Sequence, residues 1–440
     1  MYRLVIFIVN MYLSQLSVFL KKSGLLSDLI KFFFLICIFR FGGLIVLPGI
    51  DVNSVTKSEN GLLKMLDLFL GGAFGNISIF GLGIMPYINA SIIVHLLSLI
   101  YPSFQRISMD GQYGRSKMSR ITKGLTLLIS VFQSIVFLNY LVQDTWLIVD
   151  RKIFLFIAVF VLSAGSMVCV WIGEKITDCG FGQGISTLIL IGILSTLPSS
   201  IYEEFVIKGD NVFVFVGEIF FFISAIFFAI TINLAVRKIK LLRVKETMSF
   251  EDLGRKIQYL PQKFIGAGIM PVIFAQVFMF MVSFVFKILS DKNGFCLYVY
   301  ESLANVTSLF YCAVYALVIV LFSYMYLAIN INPMKIADDL KRGGEFIPGV
   351  TPGKPTADYI DRIMNLIAFP GSISLIIVAI LPTIATSLGV GQSFSHFFGG
   401  TSLLILVSSG VENVKYIESF LLLYRYERID EFSVGNDYSN

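Results

Sequence analysis

The sequence predicts an all-α polytopic membrane protein with ten transmembrane helices, and two observations carry that prediction: its composition and the length of its apolar runs. Of the 440 residues, 56% are hydrophobic and 14% are charged, whereas soluble domains are about 45–50% apolar and about 25% charged. The apolar residues occur in runs of about 20, the length that a helix needs to cross a hydrocarbon core of about 30 Å. The sequence lacks the ten-residue segments of alternating hydrophobicity that are typical of membrane β-barrels.

The predicted spans follow an N-terminal segment, residues 1–27, that has an apolar run but no small-residue cleavage site. We expect this segment to be cytoplasmic or to lie at the membrane interface rather than to be a removable signal peptide. The spans predicted after it cover residues 28–47, 78–101, 121–142, 153–173, 184–200, 212–236, 264–288, 304–329, 363–388 and 398–423.

The distribution of Lys and Arg between the short loops predicts the orientation of the spans. Loops 102–123, 237–263 and 331–362 are rich in Lys and Arg, whereas loop 199–211 has three acidic residues and one lysine. With ten spans, all the basic loops, the N-terminus and the tail 429–440 fall on one side, which the positive-inside rule assigns to the cytoplasm.

The same count divides the chain into two halves, residues 28–205 with spans one to five and residues 206–428 with spans six to ten. Because five is odd, the halves begin on opposite sides of the membrane, and any repeat that relates them is inverted.

Segment 49–77, which follows the first span, is unusual for an external loop. It contains a short apolar stretch, too brief to span, followed by Gly71, Gly72 and Gly75. Such an element folds back into the protein, either as a packing element or as a movable stopper. Its apolar residues are Leu62, Leu63, Met65, Leu66, Leu68, Phe69 and Leu70.

Segment 331–360 is rich in Gly, Pro and charged residues, although it lies between two long apolar runs. We expect it to be a docking platform for something outside the bilayer. Its TPGKPT string at 351–356 partly matches a phosphate-binding loop. However, Pro355 interrupts the pattern, and the upstream glycine and preceding strand are missing, so the string does not predict nucleotide binding.

Four strings, in this order, resemble the SecY family of channel subunits of the bacterial protein-translocation machinery. They are GLGIMPYINASII at 81–93, WIGEKITDCGFGQGIS at 171–186, the 331–360 segment with its NP, KRGG, IPG, PGK and YID elements, and FGGTSLLI at 398–405. RFGGLIVLPGID at 40–51 is similar to the end of that family's first span, and the similarity runs from about residue 28 to about residue 428.

The resemblance implies two inverted five-helix halves around a central hourglass pore. It also implies a plug at about 61–75 and a lateral gate between spans two and three on one side and seven and eight on the other. The waist of the pore would be an aliphatic ring, and the matching positions are Ile84, Ile88, Ile189, Ile193, Ile273 and Ile405. A ring of this kind disfavours water and gates by dewetting.

The function that the resemblance implies is translocation of unfolded secretory polypeptides across the plasma membrane and lateral release of membrane-protein helices. The implied partners are SecE-like and SecG-like membrane subunits, a SecA-like motor ATPase, the ribosome, precursors with signal sequences, and membrane lipid; no cofactor is implied.

The basic loops suit either ribosomal RNA or an acidic protein surface. The basic residues that we consider for docking are Arg255, Lys256, Arg342 and Lys354. Thr351 stands where the family usually has a basic residue, most often Arg, so we expect Lys354 or Arg342 to take over part of that contact. Asn89 stands where the family commonly has Ser, which alters polarity near the gate.

Two other functions, a secondary transporter and an enzyme, have to be compared with the residues present. A secondary transporter also uses inverted repeats and usually has polar groups near the membrane midplane, for which the candidates are Arg40, Gln133, Glu218 and Asn233. An enzyme needs a reactive cluster, but the two histidines, His95 and His396, are far apart in the sequence. The five cysteines show no metal-ligand spacing, and we interpret them as packing residues.

Overall fold

The computed structural model describes residues 25–50, 77–101, 103–104, 107, 111–141, 146–180, 182–209, 211–243, 258–264, 269–290, 294–304, 308–330 and 332–437. In these residues, helices dominate; nine of the ten predicted spans overlap one helix each, and span 304–329 overlaps α9 and the last residue of the helix before it. The prediction of an all-α polytopic membrane protein is therefore confirmed.

The helices and strands, numbered in chain order, are α1 Leu25–Leu44, α2 Met85–Ile100, α3 Gly111–Leu141, α4 Arg151–Asp178, α5 Gly184–Ile207, α6 Val212–Leu234, β1 Val236–Arg243, β2 Gln258–Lys263, α7 Met270–Ser290, α8 Gly294–Ala304, α9 Leu309–Asn330, α10 Pro333–Gly343, β3 Glu345–Phe346, α11 Lys354–Ser387, α12 Gln392–Ser395 and α13 Gly400–Asp437.

Within the described part of the chain, six helices are long and apolar enough to cross a membrane, namely α3, α4, α5, α6, α9 and α11. Helices α2 and α7 contain shorter apolar stretches, Met85–Ser98 and Met270–Ser283. The exposed face of α6 is apolar, since Phe213, Phe220 and Phe227, each seven residues apart, are 73–96% exposed. Seven residues are two helical turns, so these rings share one face, and a face of this kind suits contact with lipid.

Several helices are longer than the apolar runs that predicted them. Helix α3 begins at Gly111, ten residues before the predicted span, and α11 begins at Lys354, nine residues before it. Helix α5 continues to Ile207, so most of the segment 199–211, which we expected to be a loop, is helical. Hydropathy marks where the lipid begins, but a helix continues as long as its backbone hydrogen bonds and its neighbours support it.

Two of the predicted basic loops form a small sheet. Strand β1 pairs with β2 in antiparallel register, Val236 opposite Lys263, and β3 adds to its other edge, with Leu242 opposite Phe346. Side chains alternate along β1: Ile239 and Leu241 are buried, whereas the lysines at 238 and 240 are exposed. The buried side chains pack on the N-terminal part of α11, on α10 and on the end of α9.

Helices α1–α5 and helices α6–α13 form two groups that meet along two edges of different strength. Along one edge, α5 packs extensively against α12 and α13. Along the other, α2 touches α9 only slightly. The molecule is therefore joined firmly along α5 and loosely at α2, and we refer to these edges as the firm seam and the loose seam.

A buried ionic network lies at the firm seam. Lys208 Nζ contacts Glu218 of α6 and lies 3.5 Å from Glu204 of α5. Both carboxylates are buried. The Glu204 carboxylate also accepts the backbone N–H of Gly391, at 3.0 and 3.1 Å from its two oxygens. A Cβ on Gly391 would collide with that carboxylate, so a larger residue here would displace the Glu204 side chain. The network joins α5, α6 and the turn before α12 through polar contacts that have little access to water.

We expect Lys208→Met to destabilise the protein, because it leaves two buried carboxylates without their cation. Removing one partner of a buried ion pair costs about 3–5 kcal/mol. The measurement is the midpoint of thermal unfolding of the purified protein in detergent. The double variant Lys208→Met, Glu218→Gln should recover part of the loss, because it removes one of the two orphaned charges.

Lys175→Met is the matched control, since Lys175 pairs with Asp178 at 3.0 Å but both side chains are at least 50% exposed. An exposed pair contributes about 0–1 kcal/mol, so this variant should unfold close to the wild-type midpoint. Equal midpoints for Lys175→Met and Lys208→Met would show that the buried network adds no stability.

Candidate pore constriction, gate and docking platform

The six isoleucines expected at the waist come from four helices. Ile84 immediately precedes α2, and its carbonyl oxygen accepts the N–H of Ile88 at 3.1 Å, so the two occupy successive turns on one face. Ile189 and Ile193 have the same spacing in α5. Ile273 lies in the first turn of α7, and Ile405 lies in the second turn of α13.

All six side chains belong to the largest apolar cluster of the described residues, which also includes residues of α1, α4, α6, α9 and α11. Ile84, Ile189, Ile193 and Ile405 are buried, and Ile88 and Ile273 are half-buried against the same cluster. Two of the helices, α2 and α5, come from the first group, and the other two, α7 and α13, come from the second. The cluster therefore spans the junction between the groups, although its members are distant in the sequence.

Space for side-chain movement lies next to this cluster. Ile193 lines a cavity together with Tyr311 and Tyr315 of α9 and with residues of α11 and of the segment 396–402. The two tyrosine rings are stacked with their centroids 5.6 Å apart. Most of a protein interior is packed with few voids. Ile193 borders free space at this cavity, so its side chain can change position without displacing a neighbour on that side.

Buried polar groups occur on helices α2 and α3, which the resemblance places at the gate. The side-chain oxygens of Asn89 in α2 and Gln133 in α3 are buried and accept no hydrogen bond within the described residues. A buried oxygen without a hydrogen bond is costly, and two helices of the first group each carry one.

The structure describes two of the four residues predicted to dock a partner, Arg342 and Lys354. Arg342 lies in the last turn of α10 and Lys354 begins α11, and both side chains are exposed. Thr351 is exposed as well, and its carbonyl oxygen accepts the hydroxyl of Thr356 at 2.9 Å. Arg255 and Lys256 lie outside the described residues, as do the predicted plug residues Leu62, Leu63, Met65, Leu66, Leu68, Phe69 and Leu70.

The segment expected to be a platform has its own structure. Asn332 caps the start of α10, since its side chain accepts the N–H of Lys335 at 3.2 Å, and Gly344 caps the end in the left-handed conformation (φ 68°). Lys341 and Arg342 lie in its last turn, where a cation interacts favourably with the helix dipole. Because Leu340 and Ile347 pack with Ile360 of α11, the exposed charges stand on an ordered base.

The four polar residues considered for a transporter site are spread over different helices. Arg40 is in α1, Gln133 is in α3, and Glu218 and Asn233 are near opposite ends of α6. Glu218 belongs to the ionic network of the firm seam. Among the described residues, no group of three or more His, Cys, Asp or Glu side chains is placed to hold a metal ion.

Comparisons with known proteins agree with this arrangement. The SecY family model matches residues 78–414. The protein translocase subunit SecY of Streptomyces scabiei is 35% identical over 431 residues, covering 92% of this chain and 97% of the relative. The corresponding subunit of Corynebacterium glutamicum is 34% identical over 423 residues, covering 90% and 96%.

Solved structures share the fold at lower identity. A structure described as that of a protein conducting channel has a TM-score of 0.61 at 15% identity and covers 90% of this chain and 91% of its own. Sec61 in the canine ribosome-channel complex from the endoplasmic reticulum has a TM-score of 0.56 at 14% identity, with the same coverage. The extent of the family match and the identity to the bacterial relatives show that this multi-pass membrane chain belongs to the SecY family.

Proposed function

We propose that this chain is the protein-conducting channel of a plasma-membrane translocase. Unfolded secretory polypeptides cross the membrane through it, and membrane-protein helices leave it sideways into the lipid. It is a channel subunit and not an enzyme, in agreement with its relatives, which are named as protein translocase subunits.

The observation that carries the proposal is the single apolar cluster that contains all six isoleucines and draws on helices of both groups. We propose that these side chains form the waist of a pore between the halves 28–205 and 206–428. Water is disfavoured in a narrow aliphatic ring, so the closed ring resists ions. A polypeptide can still pass, because dispersion contacts with the ring need no particular direction or partner.

The difference between the two seams supports lateral release. Opening requires the groups to separate somewhere, and separation is cheapest where they share the fewest contacts. The loose seam between α2 and α9 has few contacts, whereas the firm seam along α5 has a buried ionic network. We therefore propose that the chain opens towards the lipid at the α2 side and hinges at the α5 side.

The plug and the orientation are also part of the proposal. The apolar segment at about 61–75 would fill the outer funnel while the channel is closed. Both termini, the β1–β2–β3 sheet and α10 would face the cytoplasm, which the lysines and arginines of segments 237–263 and 331–362 support.

The proposed partners follow from that orientation. A SecA-like motor ATPase or a ribosome would bind the exposed basic residues of the platform and supply the energy. One of the related structures is titled as a ribosome-channel complex. SecE-like and SecG-like subunits would pack on apolar outer surfaces such as those of α6, and signal sequences of precursors would enter at the loose seam. A small-solute transporter is not favoured, because its best ionisable candidate, Glu218, is paired with Lys208.

Site-specific photo-crosslinking tests the proposed function. A secretory precursor stalled in the channel should crosslink to probes at positions 84, 88, 189, 193, 273 and 405, and its signal sequence should crosslink to α2 and α7. Position 220, where Phe220 is 74% exposed on α6, is the control and should give little product. The proposal fails if position 220 reacts as strongly as the six, or if none of the six reacts.

Replacing Ile405 by Asn should loosen the closed state. The side chain of Ile405 is 2% exposed, and an amide there hydrates the ring and lowers the cost of wetting it. The variant should leak ions and should export precursors with poor signal sequences, measured by conductance in planar bilayers and by export of a reporter. Ile417→Asn, at a 41% exposed position of the same helix, is the control; an Ile405→Asn channel that behaved like it would argue against a ring at this position.

The double variant Arg342→Ala, Lys354→Ala should weaken binding of the motor ATPase or the ribosome to membranes that contain the protein. Exposed charge pairs contribute about 0.2–1 kcal/mol each, so the two losses together predict a weakening of roughly 2- to 30-fold, greatest at low salt. Co-sedimentation of the partner with inverted membrane vesicles measures this. Lys152→Ala changes an exposed lysine at the proposed outer end of α4 and should have no effect. Unchanged binding of the double variant would place the docking residues elsewhere.

A further inference from the structure

The cavity beside Ile193 has a volume of about 30 Å³ and is bounded by α9, by α11 and by the segment 396–402. Of the six isoleucines, Ile193 is the only one that lines this cavity within the described residues. A movement of Ile193 into the cavity therefore takes its side chain away from the other five. We call the cavity the recess, and the lining residues on which the argument depends are Ile193, Tyr311, Cys312, Tyr315, Ala379 and Ser402.

The wall that α9 contributes to the recess is rigid. Tyr311 and Tyr315 are 5% and 4% exposed, and their rings are stacked. Because each buried ring blocks the rotation of the other, neither can turn into the recess without breaking the stack.

The wall formed by segment 396–402 is held by close packing and by hydrogen bonds. A Cβ on Gly399 would lie 2.3 Å from the carbonyl oxygen of Val378, so the backbone there lies directly against α11. The hydroxyl of Ser402 donates to the carbonyl oxygen of Gly399 at 3.0 Å. The hydroxyl of Thr401 donates to Oε1 of Gln276 in α7. These hydroxyl protons already have acceptors, so this wall stays in place and does not need a ligand in the recess.

Ile193 is the lining side chain that can move at the least cost. It is 1% exposed, and its aliphatic contacts need no particular direction or partner. Branching at Cβ restricts χ1 of an isoleucine in a helix, but rotation about χ2 moves the end of the side chain between staggered positions. The end of Ile193 can therefore enter the recess while the backbone of α5 stays where the firm seam holds it.

We propose that the recess receives the end of the Ile193 side chain when a polypeptide widens the waist, and that Ala379 of α11 keeps the recess open because it is small. This inference rests on the proposed function, because it assigns a role to a space beside the proposed ring. The recess sets how bulky a segment can pass through the waist before the two groups of helices must move further apart.

A second cavity on α11 supplies a matched comparison. It has a volume of about 20 Å³ and is lined by Ala368, Ser323 and other residues, but by none of the six isoleucines within the described part of the chain. Ala379 and Ala368 are thus alanines of one helix, each beside a cavity, and only Ala379 shares its cavity with a residue of the proposed waist. A larger side chain at either position fills space that is empty in the protein.

The test compares two precursors with the same signal sequence, in vesicles that contain this chain, its native partner subunits and the motor ATPase. One precursor has a linear mature region, and the other has a loop closed by an internal disulfide, so that two strands must pass the waist together. We expect Ala379→Val to lower the rate for the looped precursor relative to the linear one about tenfold, which corresponds to about 1.4 kcal/mol. The linear precursor should pass at close to the wild-type rate, and reducing the disulfide should restore the ratio.

Three further variants make the result specific. Ala368→Val fills the second cavity and should leave the ratio unchanged. Cys312→Leu fills the recess from α9 and should lower the ratio as Ala379→Val does, so the test does not depend on the folding of one variant. In an Ile193→Ala background, Ala379→Val should add little, because the side chain that needs the recess is already absent.

The outcomes separate the recess from the function on which it rests. If the wild-type chain passes both precursors while Ala379→Val and Cys312→Leu leave the ratio unchanged, the role of the recess is refuted and the channel function stands. The same conclusion follows if Ala368→Val lowers the ratio equally, if Ala379→Val acts as strongly without Ile193, or if the wild-type chain passes only the linear precursor. If the wild-type chain passes neither precursor, the proposed function fails and the inference fails with it.

Discussion

The contact between the Glu204 carboxylate and the backbone N–H of Gly391 shows what holds the two groups of helices together. Buried charges are expensive in a membrane protein unless they find partners, and here two carboxylates share one ammonium group and one peptide N–H. A charge network of this kind has few alternative geometries, because each member loses its partner if a helix slides. The α5 edge is therefore held by polar contacts with defined partners, whereas the α2 edge is held by few contacts.

The apolar cluster that contains the six isoleucines joins the two groups of helices in a different way. Apolar side chains have no directional partners, so the cluster holds the groups together without fixing their orientation. A seal made of such side chains can open and close again without breaking hydrogen bonds. The ionic network and the apolar cluster thus join the two groups of helices in different ways, one through directional contacts and the other through packing.

The sequence predicts the spans well because hydropathy is a property of each segment by itself. It predicts the ends of helices poorly at Gly111, Lys354 and Ile207, since charged turns can continue a helix beyond the lipid when they pack on a neighbour. The sequence analysis predicts a loop where strand β1 lies. The string VRKIKLLR partly alternates in hydrophobicity, but it is short and lies between two long apolar spans. The Glu204–Lys208 spacing of four residues was a usable sign that the helix continues.

The partnerships of Glu218 with Lys208 and of His95 with Tyr326 could not be predicted from the sequence, since they depend on how distant helices pack. The six isoleucines were identified only through the resemblance to a family, because an isoleucine in an apolar helix is ordinary.

Helix α11 extends over 34 residues from Lys354 to Ser387, a length of about 51 Å at 1.5 Å per residue. Its first turns lie beneath the basic sheet and α10, and its last turn leads directly to Gly391 and the carboxylate of Glu204. Pro370 and Pro382 interrupt its hydrogen-bond ladder, so bending is concentrated at two points and the stretches between them stay stiff. Because its first turns pack on the sheet and α10 and its last turn leads to Gly391, α11 is a continuous covalent link between the basic segments and the carboxylate network of the firm seam.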